Sequence, residues 1–549
     1  MKKTVGDYLI ESLKSYGVEH IFGVPGDYNL SFLDQIDDAE GIDWIGNCNE
    51  LNASYAADGY GRIKGMAAIA TTFGVGELSA VNGIAGSYAE SVPVVKIVGI
   101  PSANAVENRK LVHHTLGDGD FYRFNEMFKE VTIAQTMLNE INAKEEIDRV
   151  LRECYLHKKP VYIGMPVDLA KKEIFVSEKT EYKFESDNAN LAKFIEKIQS
   201  LMTNSKKQMI LADFEVNRLN LNNDVEKFVE KSNLPIASLA MGKGVIDETH
   251  KNFVGIYNGA LSNENINALV KECDLAFLFG VKLTDSLTAG FSFINPNITL
   301  IEVHPLFSRI GDVVFTNIFM KDVLKALSNL DIKYSENTTP AIKAIRSFTA
   351  TDDVLTQNRF FQGIESLINK NDVLIAEQGT SFFGACTVNL QSGCTFVGQP
   401  LWGSIGYTVG ATLGTQMADK TRRNILLVGD GSFQLTAQEI STMIRENLSP
   451  IVMVVNNDGY TVERLIHGPN RKYNDINMWD YSKLVSVFDM EGNKSISLKI
   501  KTEKDLINGF KTANENKDKL IFMEVYMGRM DSPQLLKDLG ELFSKQNSY

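Results

Sequence analysis

The stretch NILLVGDGSFQLTAQEISTMIRENLSPIVMVVNN, residues 424–457, decides the fold. Ile425–Val428 is an apolar run that ends at Gly429-Asp430-Gly431-Ser432. Thr436 and Glu439 then have capping-box spacing, which predicts a helix from Thr436 to about Asn447. Ile451–Val455 is a second apolar run, ending at Asn456-Asn457-Asp458-Gly459. The order is strand, loop, helix, strand. Both polar clusters therefore lie beyond the carboxyl ends of adjacent parallel strands, where open α/β sheets bind ligands.

Asp430 offers a carboxylate there, Asn457 an amide oxygen, and the turn at Gly459 a main-chain carbonyl. That oxygen set suits Mg²⁺, which completes its shell with phosphates and water. The glycines, with Ser432 beside them, let the backbone approach a diphosphate, and a helix start favours the anion. Taken singly, Gly-Asp-Gly is a turn and Asn-Asn a loop. Their position on successive strand ends carries the functional reading.

The alternation continues in both directions and predicts α/β domains with parallel sheets. Val94–Gly99 and Val161–Gly164 read as strands of a first unit. The polar stretch Ser177–Asn190 reads as a linker to a second, with strands at Met209–Leu211, Leu275–Phe279 and Ile298–Ile301. Asp331–Pro340 separates a third, which opens with a helix over Asn358–Asn369 and a strand at Val373–Ile375. Three domains are expected at 1–180, 181–340 and 341–549, each a mainly parallel sheet flanked by helices.

A chain of 549 residues buries large cores without covalent staples. Its net charge of −13, with no dense Lys/Arg run, argues against nucleic acid and anionic membrane surfaces as partners. Five scattered cysteines without a Cys-x-x-Cys pair argue against a disulfide framework and a structural zinc site. Asp7 and Glu11 interrupt the N-terminal segment, so no signal peptide is expected. No run approaches the ~18 apolar residues of a membrane span. A cytoplasmic location is the expectation.

The cluster around Asp430 and Asn457 resembles the diphosphate and metal motif of thiamine-diphosphate enzymes. The resemblance extends over the whole chain and is greatest to the pyruvate decarboxylase family, above all its branched-chain 2-oxo acid and indole-3-pyruvate decarboxylases. It implies an N-terminal pyrimidine-binding domain, a middle domain and a C-terminal diphosphate-binding domain. It also implies non-oxidative decarboxylation of 2-oxo acids, with Mg²⁺ held by Asp430, Asn457 and the Gly459 carbonyl.

In GNCNELNA, residues 46–53, Glu50 stands where a helix begins, and helix starts favour carboxylates. Capping alone would explain it. The resemblance makes Glu50 the glutamate that hydrogen-bonds the cofactor's aminopyrimidine ring. Gly403 and Ile405, within Trp402–Gly406, resemble the segment whose apolar side chain wedges the cofactor into a V; ordinary core packing is the alternative for Ile405. In the family Glu50 and Asp430 act on one cofactor from different subunits, which implies a homodimer at minimum and a homotetramer as the usual form.

His113-His114 is an adjacent pair that by itself would pass as a solvated loop. By resemblance Asp27, His113, His114 and Glu463 surround the reacting carbon. All four move protons and none is a redox centre, which suits exchange of CO₂ for a proton. Leu287, Gln378, Phe382, Val462, Leu539 and Phe543 match the substrate pocket of the branched-chain and indolepyruvate enzymes. Leu539 and Phe543 fall on the apolar face of a terminal helix, so docking on the core explains them equally well. Leu287 resembles the indolepyruvate type and the Phe382-Phe383 pair the branched-chain type. The expectation is a broad range of aliphatic and aromatic 2-oxo acids, with pyruvate poorer. The alternatives are a pyruvate decarboxylase proper and an acetohydroxyacid synthase-like ligase, which shares the cofactor motifs. A nicotinamide dehydrogenase is disfavoured because Gly74-Val75-Gly76-Glu77-Leu78-Ser79 lacks the third glycine of that fingerprint.

Overall fold

Three large sheets follow one another along the chain, besides a two-stranded antiparallel pair of Lys2–Thr4 with Glu173–Phe175, in a computed structural model that describes residues 2–177, 182, 184–292, 295, 297–331 and 345–546. The first is wholly parallel, with its strands side by side in the order Asp43–Gly46, His20–Gly23, Ala67–Thr72, Val94–Ile100, Val161–Pro166 and Ala134–Met137. The third is also wholly parallel, in the order Thr395–Val397, Val373–Ala376, Asn424–Gly429, Ile451–Asn456, Leu520–Tyr526 and Ser495–Ile500. Every residue of Ala67–Thr72, Val94–Ile100 and Ile451–Asn456 is buried. This explains the unbroken apolar runs, because helices cover both faces of a parallel sheet.

The first and third sheets have one topology. In each, the second strand of the unit lies outside the first, and the third and fourth lie on its other side. The chain therefore reverses its direction of growth between strands one and three, leaving a crevice at their carboxyl ends. The helices that link strands two and three, Glu50–Lys64 and Tyr407–Ala418, pack against each other. No Cβ fits at Gly59 or Gly414, whose places are taken by the main chain of Ala411 and Ala56. Buried Asp58 locks the pair, accepting from Arg62 Nε and Tyr407 Oη at 2.6 Å and from Ser87 Oγ at 2.8 Å.

Between these units lies a seven-stranded sheet whose first five strands are parallel. Gln208–Ala212, Leu275–Phe279 and Thr299–Val303 are adjacent in it, and two antiparallel strands, Phe307–Ile310 and Val313–Thr316, close one edge. Among the described residues no helix is long and apolar enough to cross a membrane.

Two expectations need correction. The helix placed at Thr436 instead opens at Asp430, directly after the strand, and ends at Thr436; a second helix runs Glu439–Arg445. The spacing misled because Thr436 and Glu439 bond outward instead of to each other. Thr436 Oγ1 donates to the Gly406 carbonyl at 2.7 Å. Fully buried Glu439 accepts from Asn47 and Asn52 amides at 2.8 Å, tying the third unit to the first. The linker also ends sooner, because Asp187 caps a helix spanning Asn188–Asn204. Residues 178–181 and 183 of that linker, and 332–340 of the second, lie outside the described residues.

Candidate active site

The crevice of the third sheet holds a cavity of about 460 Å³. Its wall joins Gln378, Gly379 and Thr380 after the first strand to Gly429–Ser432 after the third and to Asn457 and Gly459–Glu463 after the fourth. Gly403 and Ile405 complete it from the loop before the helix Tyr407–Ala418. Asp430 is 1% exposed. Its Oδ2 accepts from the Asn457 and Gly459 amides at 3.1 Å, and Oδ1 from Gly431 N at 2.7 Å. Burial pushes its carboxyl up to about 6, against the pull of those amides. Among the described residues no Lys or Arg pairs with it. The Asn457 amide nitrogen is spent on Thr461 Oγ1 at 3.0 Å, which leaves the amide oxygen for a ligand.

These donors fit a hard dication beside a diphosphate. A buried anion without a cation partner, a carboxamide oxygen and a turn carbonyl form an oxygen-only set. A Cβ built on Gly429 or Gly403 would meet nothing within 4 Å, so there is open space beside both glycines. The loop bearing Ile405 is fixed by its neighbours: Ser404 Oγ lies 2.6 Å from Tyr55 Oη and accepts from Asn82 Nδ2 at 2.9 Å, and Trp402 Nε1 donates to Asn82 Oδ1 at 2.9 Å.

A second cluster stands at the carboxyl edge of the first sheet. Glu50 is the first residue of its helix, but the cap is Asn49, whose side chain accepts from Asn52 N at 2.8 Å. The Glu50 carboxylate is thereby free for other work. It lies against Gly76, with Oε1 3.0 Å from where a Cβ would stand. The same turn touches the rest of the cluster, since Thr72 abuts Gly26 and Gly74 abuts the His114 carbonyl. Asp27 Oδ2 is 2.6 Å from His113 Nε2, and Oδ1 is 3.7 Å from His114 Nε2.

The structure thus brings Gly403, Ile405, Gly429, Asp430, Gly431, Ser432, Asn457, Gly459, Gln378, Val462 and Glu463 to one cavity. It brings Glu50, Asp27, His113 and His114 to another place, and none of these four lines that cavity. Leu287, Phe382 and Leu539 lie in the hydrophobic core, with Phe543 packed against it. The terminal helix Gln534–Gln546 supports the helix Thr461–His467 that carries Val462 and Glu463. Four neighbours went unremarked in the sequence. Tyr473 and Asn474 reach the cavity from the turn Lys472–Asn474, which follows the helix Thr461–His467, without a local signal. Glu377, fully buried after the first strand, accepts from Thr408 Oγ1 at 2.6 Å, and burial pushes its carboxyl up to about 7. Lys96 is a lone cation inside a buried strand, within electrostatic reach of Glu77 and Glu50; its position in an apolar run was the available signal.

Residues 3–123 match the thiamine pyrophosphate enzyme N-terminal TPP binding domain, 195–330 the central domain, and 379–525 the C-terminal TPP binding domain. The chain belongs to the thiamine pyrophosphate enzymes and, within them, to the thiamine-diphosphate-dependent 2-oxo acid decarboxylases. An alpha-keto-acid decarboxylase of Mycobacterium leprae is 42% identical over 98% of this chain and 95% of its own length. The proteins of that name from Mycolicibacterium paratuberculosis and Mycobacterium tuberculosis are 41% and 42% identical, each over 98% of this chain and 96% of their own.

Proposed function

We propose that this decarboxylase works with Mg²⁺ as well as thiamine diphosphate and converts branched-chain and aromatic 2-oxo acids, including indole-3-pyruvate and phenylpyruvate, to aldehydes in preference to pyruvate. The carrying observation is the cavity itself, which joins the oxygen donors of Asp430, Asn457 and Gly459 to a wall formed by the modest side chain of Val462. Thiamine diphosphate supplies, when bound, the carbon that adds to the 2-oxo carbonyl and the ring that accepts the electron pair left by CO₂.

The chain's own groups do the rest. Asp430, Asn457 and the Gly459 carbonyl hold the cation and through it the diphosphate. Ile405 fixes the cofactor's shape, and Glu50 holds its pyrimidine ring by a hydrogen bond. Glu463 faces the departing carboxylate, while Asp27, His113 and His114 deliver the replacing proton. Such positioned acid–base groups each contribute roughly 10²–10⁴-fold.

Because Glu50 and the imidazoles stand apart from the cavity, we propose a homodimer in which each cofactor is held by Asp430 of one protomer and Glu50 of its partner, with a homotetramer as the assembled form. Exposed apolar residues flank both clusters, Leu111 and Leu116 beside the imidazoles and Trp402 and Tyr473 beside the cavity, which supports burial there on assembly. Domain limits at 1–180, 181–340 and 341–549 keep each sheet whole. Five free thiols are consistent with a cytoplasmic setting.

The deciding experiment compares aldehyde release from indolepyruvate, phenylpyruvate and the oxo acids of valine and leucine with that from pyruvate. Faster release from the larger acids, lost on chelating Mg²⁺, is expected. Fastest release from pyruvate would make the chain a pyruvate decarboxylase proper. No aldehyde from any acid, with cofactor bound, would favour the ligase.

A further inference from the structure

We propose that Asp27, His113 and His114 form a second metal site, separate from the Mg²⁺ donors, that takes a zinc-class transition-metal dication. One donor atom from each residue lies within 4.8 Å of the other two. His113 Nε2 lies 2.6 Å from Asp27 Oδ2 and His114 Nε2 3.7 Å from Asp27 Oδ1. Metal–ligand bonds near 2.0–2.1 Å at a tetrahedral centre place donors roughly 3.3 Å apart. The existing spacing brackets that value, so shifts within the freedom of partly exposed side chains would admit the ion.

The donors are also held from behind. His113 stacks on Tyr28, with centroids 5.0 Å apart and planes at 16°, and its Nδ1 is 3.4 Å from Tyr28 Oη. A metal-bound imidazole characteristically engages its second nitrogen in this way. His114 sits in a left-handed conformation at φ 61°, its carbonyl seated where Gly74 leaves no room for a Cβ. Two side chains on one short segment and a third from the loop after His20–Gly23 are thus set by the backbone.

Ligand chemistry selects the metal. Two imidazoles and one carboxylate suit zinc or cobalt(II), whereas Mg²⁺ prefers oxygen donors throughout. Three protein ligands leave a fourth position open, the pattern of an exchangeable site. On binding, the proton shared by His113 Nε2 and Asp27 Oδ2 leaves to solvent, since the metal takes those lone pairs. Occupancy would remove three proton-transfer groups at once and inhibit turnover; this consequence rests on the acid–base roles proposed above, whereas the binding does not.

The test uses the full chain without cofactor and with Mg²⁺ in excess, titrated with Zn²⁺ by calorimetry and with Co²⁺ by visible absorption. One Zn²⁺ per chain is expected, with affinity falling at least about tenfold in His114→Asn and in Asp27→Asn. Circular dichroism checks that each variant is folded, and His113→Gln replaces one that is not. The same Zn²⁺ should suppress aldehyde release by the holoenzyme, reversibly on chelation and resupply of Mg²⁺. Absence of Zn²⁺ binding, or unchanged affinity in the folded variants, overturns the site. Tight, variant-sensitive binding that leaves turnover unchanged keeps the site and overturns the acid–base roles instead.

Discussion

Asp430 Oδ2 accepts a hydrogen bond from the Gly459 amide at 3.1 Å, joining the ends of two adjacent strands. Gly459 holds φ at 105°, and a Cβ there would run into the Asn474 carbonyl. Gly459→Ala must therefore move the turn whose carbonyl is proposed as a ligand. Mg²⁺ affinity is expected to fall roughly 10–100-fold, the range for losing support around a metal. Titrating Mg²⁺-dependent cofactor binding checks this, and an unchanged curve would remove Gly459 from the site.

Glu50 should be irreplaceable by its amide. Glu50→Gln is expected to slow turnover by ~10²–10⁴-fold while the protein remains folded. Gly76→Ala tests the same group indirectly, because the new methyl would stand 3.0 Å from Glu50 Oε1 and displace it. Steady-state aldehyde release measures both. Near-normal rates in Glu50→Gln would end its assignment.

Glu377 makes stability depend on pH in a defined direction. Burial raises its carboxyl from 4.5 to about 7 in the folded chain. Between those values the folded state binds the extra proton, so the contribution is whole below pH 4.5 and is lost as pH rises through 7. The loss amounts to ~3 kcal/mol. Glu377→Gln should match the parent near pH 4.5 and melt at a higher temperature at pH 8. Parallel melting curves across that range would contradict the raised carboxyl.

Val462 and Gly379 both line the cavity, with Val462 Cγ2 3.4 Å from where a Cβ on Gly379 would lie. Val462→Phe should depress kcat/KM for phenylpyruvate and indolepyruvate more than for pyruvate. A change of a few methylenes is worth ~1–3 kcal/mol each, so selectivity should shift 10-fold or more. Equal losses on all acids would show that Val462 does not set substrate size.

Much of this was legible in the sequence because parallel strands announce themselves. Leu275–Phe279 is apolar along its whole length and Val94–Ile100 is apolar but for Lys96, and polar turns mark where they stop. Local capping was less readable. Thr436 and Glu439 have the spacing of a cap, yet their partners are Gly406, Asn47 and Asn52, remote in sequence. The pocket was the least readable part. Leu287, Phe382 and Leu539 are apolar whether they meet a substrate or one another, and periodicity does not distinguish the two. Tyr473 and Asn474 reach the cavity only through the fold.

The separation of Glu50 from Asp430 within one chain has a genetic counterpart. Under the dimeric arrangement proposed above, a Glu50→Gln protomer and an Asp430→Asn protomer are each inactive alone but complementary. Their mixed dimer contains one site with both lesions and one with neither. Random exchange of equal amounts should restore about a quarter of the parental activity, since half the dimers are mixed and each has one sound site. Two defective alleles would then rescue each other when their lesions fall in different halves of the shared site, and would fail to when both fall in the same half.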